Sequence, residues 1–176
     1  MGNSASFTNN HLEVFDLLKS VKDKSELDLD IISPLSYGDD CCLNAVKQKG
    51  VDCFGEHFQA ITGFMPIDEY VSLLKQCGYA VMNHNRQQAV GNIVIMLYLG
   101  ARVFLREENP TYQMLKSEGA IINTIDELAA QPGLLKTPLA ENEITNNIDV
   151  LYKHWSKAVI DQKTKNLVEF HLGVLD

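Results

Sequence analysis

The sequence has no C-x-x-C, no G-x-G-x-x-G, no phosphate-cradling P-loop, no G-x-S-x-G and no H-E-x-x-H. Chemistry carried by a local nucleophile or a bound metal therefore has no motif to support it. Cysteine is sparse, at Cys41, Cys42, Cys53 and Cys77, and the adjacent Cys41-Cys42 pair is poor disulfide geometry. The expectation is reduced thiols in a cytosolic protein. No Cys or His pair has finger-like spacing, so no metal is expected. Long apolar runs are missing too. The longest, Ile93 to Leu99, is seven residues, against about 20 for a membrane span, so membrane contact is expected to be peripheral. No signal peptide is read at the start. Met1-Gly2-Asn3-Ser4-Ala5-Ser6 matches a myristoylation pattern only superficially.

Positive charge is in short supply. Lys and Arg number 15 against 23 Asp and Glu, a net charge of −8. Wrapping a nucleic acid is excluded, because phosphate contacts need clustered cations. A small anionic ligand stays open, since a few N–H groups at a helix N-terminus can hold one. The 176 residues, 45% hydrophobic and 22% charged, suit one domain with a full core.

What is present is alternation. Helical stripes or caps read at Asn9 to Val21, Asp39 to Lys49 (closed by Gly50), Pro66 to Gln76, Gln87 to Leu99, Pro110 to Ser117, and a final helix from about 142 to 161. Beyond it, Lys163 to Asp176 is expected to extend that helix or to pack separately. Strands read at Leu27 to Pro34, His57 to Thr62, Tyr79 to Met82, Ala101 to Leu105 and Ala120 to Ile122. This spacing predicts an α/β fold, a Rossmann-like parallel sheet with helices on both faces. Ligands of such sheets sit beyond the carboxyl ends of the strands. The loops to inspect are therefore Gly2 to Thr8, Ser36 to Asp40, Asn83 to Gln88 and Arg106 to Pro110.

The densest polar loop runs from Asn83 through His84, Asn85, Arg86, Gln87 and Gln88 to Gly91 and Asn92. It opens the most apolar helix. Unpaired N–H groups, the positive dipole end, a bidentate Arg86 and a close approach at Gly91 together suit a diphosphate. The plain alternative is a capped helix start with Arg86 in solvent. In the next loop, Asn109 before Pro110 is an ordinary helix entry, and Glu108 is placed to accept from sugar hydroxyls. Asn9-Asn10 reads as a cap after a lone-glycine turn at Gly2. Phe64-Met65 flanks a planar base or belongs to the core. His11, His57, His154 and His171 have no partner at useful spacing and read as surface or satisfied residues.

The segment order resembles the C-terminal, donor-binding half of GT-B-type glycosyltransferases. Within these, Gly2-Asn3-Ser4 with Asn9-Asn10-His11, then Arg86-Gln87-Gln88-Ala89-Val90-Gly91, Glu108-Asn109-Pro110 and the segment around Trp155 are similar to glycosyltransferase family 56. These are the TDP-N-acetylfucosamine:lipid II N-acetylfucosaminyltransferases, also described as 4-alpha-L-fucosyltransferases. The resemblance implies transfer of a 4-acetamido-4,6-dideoxygalactose from a dTDP-sugar to a polyprenyl-diphosphate-linked glycan, in enterobacterial common antigen assembly. It implies a cytoplasmic site at the inner-membrane face, with the nucleotide sugar as substrate and no separate cofactor. It also implies an N-terminal acceptor domain outside these residues, and an isolated donor domain without transferase activity. Carried over by motif, Arg86, Gln87, Gln88 and Gly91 face the donor diphosphate, and Asn3 and Ser4 line the cleft floor. His84, Asn92, Glu108 and Asn109 approach sugar or ribose, and Phe64 and Met65 border the base. One departure is Ile95, where many donor halves carry a ribose-gripping Glu. Met1 falls where a strand should end, so the central strand is expected to be shortened or replaced beside Leu29 to Ser33.

Two other readings compete. A nucleotide-sugar epimerase needs carboxylates and a His around the sugar, for which only His84 and Glu108 offer themselves. A flavodoxin-like binding module needs an acidic cluster with a Lys-bearing late strand, and only Asp39-Asp40 is present.

Overall fold

A computed structural model describes residues 1–171 and 173. The strands are β1 (Ile31–Pro34), β2 (Phe58–Ile61), β3 (Tyr79–Met82), β4 (Arg102–Leu105) and β5 (Asn123–Thr124). The helices are α1 (His11–Ser25), α2 (Asp40–Phe54), α3 (Ile67–Leu74), α4 (Val90–Tyr98), α5 (Pro110–Ser117), α6 (Ile125–Ala130), α7 (Glu141–Trp155) and α8 (Lys157–His171). All strand pairs are parallel. β1 pairs with β2, Ile31 opposite Phe58. β3 pairs with β4, Met82 opposite Leu105, and β4 with β5, Leu105 opposite Thr124. This is the expected α/β class.

Sheet alternation sorts the core into two layers. Val81 and Phe104 point to one face, among Phe15, Leu18, Val46 and Leu128. Their neighbours Ala80, Met82, Val103 and Leu105 point to the other, among Ile93, Leu97, Leu115 and Val150. β4 is buried at all four positions. A parallel strand covered on both faces is apolar toward both, as Val103 to Leu105 are here, while buried Arg102 donates to the Thr137 carbonyl and to Asn123 Oδ1.

The chain's first two residues join the sheets. The Met1 amine donates to the Ile32 carbonyl of β1, and Gly2 N–H donates to the Val81 carbonyl of β3 at 3.1 Å. The spatial order is thus β2-β1, then Met1–Gly2, then β3-β4-β5. Strand order reverses between β1 and β3, which makes the carboxyl end of that gap a topological switch point. Beside β1, where a shortened or replaced strand is expected, the two residues Met1 and Gly2 bridge β1 and β3.

Several boundaries differ from the sequence reading, each for a local reason. Gly50 does not close α2, which runs on to Phe54. A Cβ at Gly50 would collide with the Phe58 ring, so Gly50 serves close packing, and Gly55, at φ 57°, ends the helix. α4 starts at Val90, not Gln87, because Ala89 takes a left-handed φ of 56°. Ala120 and Ile122 are buried, but the segment is not a strand. The Asn147 side chain takes both backbone groups of Ile121, accepting from its N–H at 2.7 Å and donating to its carbonyl at 3.0 Å. The last helix is two helices, parted at Ser156, whose ψ of 149° is extended. Helix α8 carries the tail through His171. The rest of the tail expectation, at 172 and 174–176, lies outside the described residues. Helix α6 went unread, although Thr124-x-x-Glu127 forms a reciprocal capping box.

Candidate active site

Four loops meet at the carboxyl ends of β1, β3 and β4. The first is the turn from Gly2 to Asn10. Gly2 has φ 63°, and a Cβ there would collide with the His11 ring packed beneath it. His11 Nε2 lies 2.9 Å from the Ser4 carbonyl, and Asn9 Nδ2 donates to that carbonyl at 3.0 Å and to Ser4 Oγ at 3.1 Å. Ser4 is buried by these bonds, so it braces the loop and leaves Asn3 as the outward group. Asn9 and Asn10 do not cap α1 through their side chains. Asn10 has φ 50°, and its side chain donates to the Asn83 carbonyl at 2.8 Å, tying the first loop to the third.

The second loop is held by Ala5 N–H donating to the Tyr37 carbonyl and Asp39 N–H donating to the Ala5 carbonyl, each at 2.8 Å. Gly38, at φ 130°, leaves no room for a Cβ against the Ala5 carbonyl. This closeness presents Tyr37 at the rim, where its hydroxyl accepts from Asn3 Nδ2 at 2.9 Å.

The third loop, Asn83 to Ala89, is built around a fully buried His84. Its Nδ1 sits 3.0 Å from the Arg86 carbonyl, and burial lowers its pKa, so the ring is neutral near pH 7. Asn109, also fully buried, donates from Nδ2 to the His84 carbonyl at 2.8 Å and the Arg86 carbonyl at 3.1 Å. Its Oδ1 accepts from Thr111 N–H at 2.8 Å and caps α5. His84 and Asn109 are thus inside the protein, where they set the path of the Arg86 backbone, and neither faces a ligand directly. Asn109→Ala is expected to lose the cap and the side-chain donor to the His84 carbonyl, leaving the Arg86 carbonyl with His84 Nδ1 alone, about 2 kcal/mol of stability. It is also expected to loosen Arg86. Urea unfolding of the variant checks the first effect and nucleotide titration the second.

Arg86, Gln88, Thr8 and Asn3 converge at the mouth. Arg86 donates from its terminal nitrogen to Thr8 Oγ1 at 3.2 Å and from Nε to Gln88 Oε1 at 3.3 Å. Thr8 donates to Gln88 Oε1 at 3.1 Å, and Gln88 donates from Nε2 to Asn3 Oδ1 at 3.0 Å. Among the described residues no carboxylate pairs with Arg86, whereas the neighbouring Arg106 is paired with Glu13. The cation stands beside an α4 N-terminus that has no side-chain cap, and nothing lies within 4 Å of a Cβ built at Gly91. An unpaired guanidinium, free first-turn N–H groups and open space are the elements of an anion site.

The other sequence candidates lie apart. Glu108 lines a separate 270 Å³ cleft with Glu13, Asn83, Arg106, Glu107 and Asp126. Phe64 is 92% exposed and, with the partly exposed Met65, follows β2 at the outer edge of the sheet. Asn92 lines a small cavity with Tyr70 and Leu74 of α3. Gln87 is exposed. Sequence reading missed Thr8 and Tyr37 as partners of the cluster. Both occupy loops it had singled out, and only the loop positions were visible. It also missed two histidine partners brought by the fold: His57 lies 2.8 Å from Asp30, and His154 lies 3.4 Å from Glu118.

A family model described as 4-alpha-L-fucosyltransferase glycosyl transferase group 56 matches residues 1–133. The chain belongs to glycosyltransferase group 56. The match spans β1 to β5 and every loop of the Arg86 cluster, while α7 and α8 lie beyond it. The chain is thus of a transferase family, one whose chemistry moves a sugar from a nucleotide-sugar donor to a glycan acceptor. No solved structure matches it. Within the described residues no helix is long and apolar enough to cross a membrane.

Proposed function

We propose that the switch-point loops bind the diphosphate of a dTDP-linked 4-acetamido-4,6-dideoxygalactose, for transfer to a polyprenyl-diphosphate-linked glycan. The acceptor chemistry calls for peripheral contact with the cytoplasmic face of the membrane. One observation carries the donor reading: an unpaired Arg86 beside the uncapped start of α4, above the switch point. Glycosyl transfer breaks the bond between the anomeric carbon and the β-phosphate oxygen, so negative charge grows on the leaving diphosphate. Preorganised donors aimed at that charge lower the barrier. Here they are the Arg86 fork and the first-turn N–H groups of α4. Gln88 and Asn3 hold Arg86 and the glycine turn in register and offer amide groups to the phosphate oxygens. Buried, neutral His84 and the Asn109 cap position the loop without adding charge to it.

The base and sugar assignments are tested by donor competition. The full chain is titrated with dTDP, UDP, GDP and GDP-fucose, and ligand NMR follows occupancy. Preference for dTDP by tenfold or more is expected. Preference for GDP-fucose would keep the anion site and overturn the donor assignment.

A further inference from the structure

Among the described residues, Tyr37 is the exposed aromatic that is hydrogen-bonded into the Arg86 cluster. It stands 62% exposed on the loop after β1, yet it is held from both ends. Its carbonyl accepts from Ala5 N–H, and Asp39 N–H returns a bond to the Ala5 carbonyl, each at 2.8 Å. Gly38 between them lies so close to Ala5 that a Cβ would not fit. At the other end, the Tyr37 hydroxyl accepts from Asn3 Nδ2 at 2.9 Å. From there Asn3 Oδ1 accepts from Gln88 Nε2 at 3.0 Å, and Gln88 Oε1 accepts from Arg86 Nε at 3.3 Å. Two amide side chains therefore separate a held aromatic ring from an unpaired guanidinium. A nucleotide has a matching order: a planar base, a pentose, then a diphosphate. The other exposed aromatics lie elsewhere. Phe64 follows β2 at the outer edge of the sheet. Phe7 borders a separate cavity with Leu12, Cys42 and Val46. Tyr98 ends α4, whose start carries the site, and Tyr152 lies on α7.

We propose that Tyr37 is the base-stacking residue of the site. The nucleobase lies on its ring while the diphosphate reaches Arg86 and the first turn of α4. This rests on the donor reading above, and it puts the base at the switch point, away from Phe64 and Met65. An exposed ring that is already held gains apolar contact from a stacked base with little further ordering cost. Stacking engages a π-face, which every base has. Tyr37 therefore favours nucleotides over bare diphosphates and leaves the choice of base to other groups.

The test titrates the full chain, Tyr37→Ala and Tyr37→Phe with dTDP and with inorganic pyrophosphate. The parent is expected to bind dTDP at least tenfold more tightly than pyrophosphate. Tyr37→Ala is expected to lose about tenfold in dTDP affinity and to keep its pyrophosphate affinity. Tyr37→Phe keeps the ring without the hydroxyl, and is expected to stay near the parent for both ligands. Unchanged dTDP binding in Tyr37→Ala would overturn the proposal. So would equal dTDP losses in the two variants, which would assign the effect to the hydroxyl. Parallel loss of both ligands in Tyr37→Ala would make Tyr37 a brace for Asn3 and overturn the stacking. A parent that binds pyrophosphate as tightly as dTDP would keep the anion site and overturn the stacking alone. A parent that binds neither would remove the donor reading, and this proposal with it.

Discussion

Arg86→Ala raises the dissociation constant for dTDP roughly 10- to 150-fold, while the melting temperature stays within a few degrees of the parent. A charge-assisted, bidentate contact contributes about 1.5–3 kcal/mol, and each 1.4 kcal/mol is tenfold in affinity. Stability is spared because the Arg86 side chain makes only exposed hydrogen bonds, to Thr8 and Gln88. The structural work of that loop is done by its backbone carbonyl, which Asn109 holds. Arg86→Lys keeps the charge but not the fork, and is expected to recover only part of the loss. Calorimetric titration gives the affinities and a thermal melt the stability. A full-affinity Arg86→Ala protein would remove the guanidinium from the site. The paired Arg106, at the neighbouring cleft, is the matched comparison. Its guanidinium is engaged by Glu13 and Asn83, so Arg106→Ala is expected to leave dTDP affinity much closer to the parent value.

Acidification from pH 7 to pH 4 destabilises the fold by about 3 kcal/mol through His11 alone. Burial under the Gly2 turn lowers the His11 pKa from 6.5 to about 4. Between those values the unfolded chain binds a proton that the folded chain refuses, so stability rises with pH there. The contribution is whole above pH 6.5 and is lost as pH falls toward 4. The geometry gives the reason. Neutral His11 donates from Nε2 to the Ser4 carbonyl, and its buried Nδ1 has no partner. A second proton on Nδ1 would be a buried charge without an acceptor. In His11→Gln this segment of the pH dependence is expected to vanish, whatever the variant's stability at pH 7. Denaturant midpoints measured at pH 7, 5.5 and 4 on both proteins check it. An unchanged slope in the variant would assign the acid sensitivity to other groups. Because His11 supports Gly2 to Ser4, dTDP binding is expected to weaken over the same window.

The parallel α/β class was legible because period-2 and helical stripes alternate, and β3 and β4 appear at Tyr79 to Met82 and within Ala101 to Leu105. The Arg86 loop was legible because amides and one cation crowd a helix start after a strand. What escaped were facts set by distant chain segments. Ile121 looks like a strand residue, yet Asn147 satisfies its backbone from α7. Gly50 looks like a helix stop until Phe58 folds against it. His84 and Asn109 look like ligand groups in a polar loop, yet packing turns both inward, where their hydrogen bonds shape the loop. Thr8 and Tyr37 join the cluster from 80 residues before Gln88 and from 34 residues after Asn3, distances at which sequence pattern carries no pairing. The α6 capping box was different. Thr124 and Glu127 were readable, and the buried run before them drew the assignment to a strand.

The central claim is that the Arg86 cluster at the switch point is a nucleotide-diphosphate site. Calorimetric titration of the folded 176-residue chain with dTDP tests it most directly, with Arg86→Ala alongside. Saturable one-to-one binding that weakens at least tenfold in the variant is the expected result. No heat of binding up to millimolar dTDP, in a chain shown to be folded by its cooperative melt, would contradict it.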